Sequence, residues 1–156
     1  MSEIITRDHL EKYKGWQMRV ASDRERIARA KSEELFPSAK EGDGSQHQAG
    51  ASDRMANAVI RRMDIEERVK PRIIENLERM KAVEDAVALL SDPLEEEVLT
   101  LRYMFGEDSR WMKWSEIAIR IYGGDEEKHL QAAYRLHGRA LQNLKKVSGA
   151  NDTQTV

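Results

Sequence analysis

Cysteine is absent from the chain, which removes disulfide frameworks, thiol nucleophiles and cysteine-ligated zinc. No apolar stretch reaches the length of a membrane span, and the amino-terminal MSEIITRDHLEKY lacks the apolar run of a signal peptide, so a soluble, cytoplasmic protein is predicted. Neither GxxxxGK[ST] nor GxGxxG occurs, and GDGSQHQAG lies in a polar stretch with no strand before it, which argues against a phosphate cradle. His9, His47, His129 and His137 are scattered without an HxxxH pair, so neither a metal nor another cofactor is expected. The acid runs Glu95–Glu97 and Asp125–Glu127 have no sheltering neighbours to shift a carboxyl pKa and read as solvated helix starts, so no catalytic residue and no enzyme is predicted.

What is present favours helix throughout. With 156 residues, 40% hydrophobic and 35% charged, the chain can bury one modest core and suits long, solvated helices, an all-α fold. From Thr6 to Leu35 the residues Leu10, Tyr13, Trp16, Val20, Ile27 and Leu35 recur at helical spacing, so residues 1–36 predict an amphipathic helix. Residues 37–53 hold Pro37, Gly42, Gly44 and Gly50 among small polar residues and read as a flexible linker.

A second long helix is predicted over 54–91. Met55, Val59, Met63, Ile73, Leu77, Met80, Val87 and Leu90 alternate three- and four-residue steps, an approximate heptad seam that a hairpin within one chain and a dimeric coiled coil satisfy equally. Pro71 predicts a kink or break near Val69 to Arg72.

Ser91-Asp92-Pro93 combines capping residues with a proline suited to a first helical turn, so a domain boundary is placed there and a three-helix domain over 92–147. LEEEVLTLRYMF sets Leu94, Val98, Leu101 and Phe105 on one face. WSEIAIRIY offers Ser115 as a cap, turns Ile117, Ala118 and Ile121 inward and stops at Gly123 and Gly124. The third helix keeps Leu130, Ala133, Leu136, Ala140, Leu141 and Leu144 in register to about Lys146, with a disordered tail over 148–156. A small residue, Ala118, inside the second helix and a glycine turn after it describe a helix-turn-helix.

Charge is polarised inside this domain. Leu94 to Glu127 carries nine acids against four bases, whereas Lys128 to Lys146 carries five bases, two histidines and no acid, although the whole chain has a formal net charge of -2. A cationic helix of this kind suits the phosphate line of duplex DNA. Complementing the helix dipole explains Lys145 and Lys146, and explains Arg135 and Arg139 less well.

LEEEVLTLRYMFG, WSEIAIRIY and AAYRLHGRALQNL, in this order, resemble the promoter-reading carboxyl-terminal domain of bacterial sigma factors. The YRLHGRAL phrase after a linker and paired helices is similar to ArpU/RinA-type phage transcriptional regulators. The resemblance implies sequence-specific binding to promoter DNA in late phage or prophage gene expression, with RNA polymerase as a further partner. The amino-terminal helices are expected to form a homodimer or to engage a partner. Carried over by position, it puts Gln131, Ala132, Tyr134, Arg135, His137 and Arg139 on the recognition face. Arg135 and Gln131 are the candidates for base edges, and Lys128, Arg139, Lys145 and Lys146 for phosphates. Tyr134 suits a backbone oxygen, a thymine methyl or a half-buried core position. The alternative function is an adaptor for RNA polymerase or a phage packaging motor, of the small-terminase kind, with only nonspecific DNA affinity.

Departures from the pattern set further expectations. GGDEEKHLQ is longer than the usual tight turn, so either a loop intervenes or the recognition helix begins early with Asp125 as its cap. Gly138 sits mid-helix at about 1 kcal/mol relative to alanine, an expense that close packing of another helix or a nucleic acid backbone offsets. Arg102 is expected in an internal ion pair, and Trp111 and Trp114 in core and turn packing.

Overall fold

A computed structural model describes residues 3–36 and 51–153. Among the described residues the secondary structure is all helical: α1 (Arg7–Leu35), α2 (Ala51–Ala88), α3 (Pro93–Leu99), a π-helical turn (Thr100–Met104), α4 (Trp114–Tyr122) and α5 (Glu127–Thr153). The linker expected over 37–53 lies outside the described residues except for Ala51, Ser52 and Asp53, which already belong to α2. The chain divides into two compact units, one of Arg19–Asn76 and one of the chain up to Met18 together with Leu77 onward.

The Arg19–Asn76 unit is an antiparallel pair formed by parts of α1 and α2, so the pairing within one chain is present. Asp23 on α1 accepts two hydrogen bonds from the Arg72 guanidinium on α2, at 2.7 and 2.5 Å, and further along the pair Glu34 accepts from Arg62. Rising residue numbers on one helix meet falling numbers on the other, which fixes the antiparallel sense. Val20, Ala30, Ala58, Val69 and Ile73 are buried between them. The expected seam is therefore partly wrong here: Ile73 is inside, whereas Met55 and Met63 are exposed. Pro71 does not break α2, which is helical on both sides of it. Val69 and Ile73, both buried and flanking the proline, hold that turn by side-chain packing where a backbone donor is missing.

The second unit gathers the rest. A cut at Ser91–Pro93 does not describe it, because Ile5, Leu10 and Tyr13 from the start of the chain and Val83, Ala86, Val87 and Leu90 from the end of α2 share one core with Val98, Leu99, Ile117, Leu136, Ala140 and Leu144. Helices as short as α3 and α4 present too little apolar surface to close a core alone. The last helix also outruns its expected end: Ser148 to Thr153, read from sequence as tail, lie in α5, and residues 154–156 are outside the described residues. Ser148 is buried; its hydroxyl donates to the Leu144 carbonyl at 2.8 Å and accepts from the Ile5 amide at 2.9 Å. That tertiary contact prolongs the helix beyond its apolar repeat.

Candidate nucleic-acid interface

Local chemistry sets the helices that carry the candidate site. Asp92 caps α3, its carboxylate accepting from the Leu94 amide at 2.9 Å, with Pro93 at the first helical position, as the sequence leads one to expect. The neighbouring acids are not all solvated. Glu95 is buried and its two carboxylate oxygens accept from the Asn143 side-chain amide on α5 at 2.8 and 3.0 Å, so this acid fastens α3 to α5.

The expected inward face of Leu94, Val98, Leu101 and Phe105 is half right. Val98 and Leu101 are buried, while Leu94 and Phe105 are each 45% exposed. The π-helical turn at Thr100–Met104 is the reason: an i to i+5 repeat carries the inward direction from Val98 to Tyr103, which is buried, and turns Phe105 out. Arg102 forms no ion pair among the described residues. Its guanidinium donates to the Met112 carbonyl at 2.7 Å and stacks over the rings of Trp111 and Trp114, 5.2 and 4.7 Å from their centroids. Both tryptophans are half-buried, in line with core and turn packing.

Sequence reasoning missed Lys14. Its side chain is 3% exposed, and its ammonium donates to the carbonyls of Phe105, Asp108 and Arg110 at 2.6, 3.1 and 2.6 Å. One cation from α1 thus organises the GEDSR loop that leads into α4. The only signal in the sequence is a lysine beside Tyr13 on the apolar side of α1; its three acceptors lie about ninety residues away.

Helix α4 begins after Lys113, which makes no side-chain cap bond, and Ser115 lies inside the first turn, so the expected serine cap is absent. Ile117 and Ala118 are fully buried, as a close helix crossing requires. Gly123 ends α4 in the left-handed conformation at φ 83°, its amide bonded to the Ile119 carbonyl at 2.9 Å, the usual glycine stop. Gly124 follows because a Cβ there would sit 2.8 Å from the His129 ring. A loop of residues 123–126 intervenes and α5 starts at Glu127, so Asp125 does not start the helix.

The predicted face of α5 separates into three groups. His137 is buried, 8% exposed, and is removed from the interface: its Nε2 shares a 2.8 Å hydrogen bond with the Tyr103 hydroxyl and its ring meets Trp114 edge-on at 4.9 Å. Burial is the main cause that pushes its pKa down to about 4, with the positive Arg7 and Arg102 adding to it, so it is neutral at pH 7. The inward turn follows from spacing, since His137 neighbours Leu136 and Ala140 on the core side.

A second group lies at the start of α5 and is engaged with acids. Lys128 stands 3.8 Å from Glu126, and Gln131 donates to Glu127 at 2.8 Å. Tyr134 is 44% exposed and packs edge-on against Trp114, ring centroids 5.1 Å apart.

The third group is the open one. Arg135, Gly138, Arg139 and Gln142, with Ala132 and Tyr122, line a shallow groove on α5. Arg135, Arg139, Lys145 and Lys146 are exposed, and none has an ion-pair partner among the described residues. Positions 135, 138, 139, 142, 145 and 146 repeat at i, i+3, i+4 and i+7, one continuous stripe on a helix. Gly138 does not pack on a neighbouring helix: a Cβ there would meet nothing within 4 Å. Tyr122, Gly138 and Gln142 were not in the expected set. Helical spacing from Arg135 could have found the last two, while Tyr122 arrives from α4.

Elsewhere, no group of three or more metal-ligating side chains and no helix long and apolar enough to cross a membrane occurs among the described residues. No protein-family model, curated protein or solved structure matches the chain.

Proposed function

We propose that the chain is a sequence-specific, double-stranded DNA-binding transcriptional regulator of the ArpU/RinA type, acting on late phage or prophage genes, and that the middle of α5 is its reading surface. The observation that carries the reading is the uncovered cationic stripe: two arginines and two lysines, exposed and without ion-pair partners among the described residues, following a segment, Leu94 to Glu127, that carries nine acids against four bases. Unpaired cations on a convex helix gain from phosphates because condensed counterions are released on binding. Arg135 and Gln142 on the groove walls take base edges, since arginine grips guanine and glutamine grips adenine through two hydrogen bonds. Arg139, Lys145 and Lys146 take phosphates and fix the register.

Docking through the middle of α5 follows from its charges. Glu126 and Glu127 at the amino end repel phosphate and occupy Lys128 and Gln131, so the helix enters the groove further along than recognition helices that read with their first turn. Gly138 supports the same geometry, because an exposed glycine on the groove floor lets a sugar-phosphate backbone or base edge approach the helix closely.

The test is the salt dependence of duplex binding by the full chain. Three phosphate-facing cations, Arg139, Lys145 and Lys146, predict that log K falls with log salt with a slope of roughly 3 per chain. Duplex affinity that is negligible at low salt, with the chain folded, would remove the reading and leave the protein-binding adaptor.

A further inference from the structure

The Arg19–Asn76 unit leaves an apolar row uncovered. On α2, Ile60, Met63 and Ile74 are 56%, 56% and 57% exposed, although Ala58, Val69 and Ile73 of the same helix are buried in the hairpin. Between the exposed apolar residues, on the same line, stand the exposed Glu67 and Lys70. The positions 60, 63, 67, 70 and 74 step by three, four, three and four, a heptad seam separate from the one that closes the hairpin. Beside it runs a shallow groove lined by Arg62, Met63, Glu66, Glu67, Lys70 and Pro71.

We propose that this face binds a second copy of the chain, α2 against α2 and antiparallel, with the two-fold axis passing between residues 68 and 69. The charges select that arrangement. About that axis Met63 meets Ile74 of the second copy, and Glu67 meets Lys70 of the second copy, each pair occurring twice, as an isologous interface demands. Parallel pairing would set Glu67 against Glu67 and Lys70 against Lys70, and a slip by one heptad would press a charge onto an apolar side chain; both are disfavoured. A charged centre flanked by apolar residues gives up some stability and fixes orientation and register in return.

Lys70 is not withheld from this role. Its ammonium stands 3.4 Å from the largely buried Glu66 carboxylate, but its own side chain is 59% exposed and Glu66 is also held by Arg62 at 3.2 Å, so Lys70 can turn to a second partner without leaving Glu66 unpaired. The inference does not depend on what α5 binds, and each stands or falls alone.

The absence of native cysteine makes the test clean. In the full chain carrying Met63→Cys together with Ile74→Cys, mild oxidation should yield a covalent dimer on non-reducing gels, and each single variant should stay monomeric. Ready cross-linking of Met63→Cys alone would overturn the antiparallel arrangement, and no cross-linking of the double variant would overturn the interface. Substitution of exposed charges provides a second readout by sedimentation. Glu67→Lys should raise the dimer dissociation constant roughly tenfold, and adding Lys70→Glu should restore it; helix content checked by circular dichroism should be unchanged throughout. Failure of the swapped pair to restore association would also count against the proposal.

Discussion

The Tyr103 hydroxyl and the His137 Nε2 share a 2.8 Å hydrogen bond inside the unit that carries α5. Both residues are buried, and the imidazole meets Trp114 edge-on and lies in the positive field of Arg7 and Arg102. Its pKa falls from the ordinary 6.5 to about 4. The unfolded chain therefore binds a proton between these values that the folded chain refuses. Stability is fully present above about pH 6.5 and is lost progressively as pH falls towards 4, by an amount on the order of 3 kcal/mol at most. Urea denaturation across this range should show the slope, and His137→Phe should abolish most of it.

Lys14 predicts a different failure. Its ammonium is the common donor to three carbonyls of the segment entering α4. Lys14→Met keeps the apolar stem and removes the charge, leaving those acceptors without their donor. A loss of roughly 3 kcal/mol is expected, with faster amide exchange at residues 106–113 than in the parent. Unchanged exchange there would mean that the loop holds its shape without the lysine.

Gly138 separates stability from binding. Because a Cβ at this position meets nothing, Gly138→Ala should stabilise the chain by about 1 kcal/mol through helix propensity. The same methyl stands on the groove floor between Arg135 and Arg139, so duplex affinity should fall even as the melting temperature rises. An unaltered affinity would show that nothing approaches the helix closely there.

These residues also mark what a sequence can disclose. Asp92, Pro93, Ala118 and Gly123 act through neighbours within a few positions, and their roles were legible as capping, close-crossing and stop chemistry. The exposed stripe of Arg135, Arg139, Lys145 and Lys146 was legible too, because charge and helical phase suffice to place it. His137 was misassigned to that face although its spacing from Ala133, Leu136 and Ala140 already sets it on the core side; its partner Tyr103 was the illegible part, since it comes inward only through a π-helical turn, a change of phase that an α-helical repeat does not announce. The burial of Glu95 on Asn143 and of Lys14 on the loop carbonyls depends on pairs separated by 48 residues in the first case and more than 90 in the second. No local pattern encodes such pairs. The division at Ser91–Pro93 failed for the same reason, since α3, α4 and α5 share their core with the start of α1 and the end of α2.

The stripe itself makes a graded prediction. Lys145→Ala should weaken every duplex alike and lower the salt slope by about 1, whereas Arg139→Ala, nearer the groove, should lower affinity further without changing sequence preference.

The most direct measurement is the affinity of the parent and of Arg135→Ala for a duplex selected from a random pool and for its scrambled counterpart, at one salt concentration. The parent should prefer the selected duplex by about 10³ or more, and the variant should lose about 1–3 kcal/mol on that duplex alone, with relaxed preference at one base pair. Equal affinity of the parent for both duplexes, or an Arg135→Ala variant that binds them as the parent does, would contradict base reading by α5.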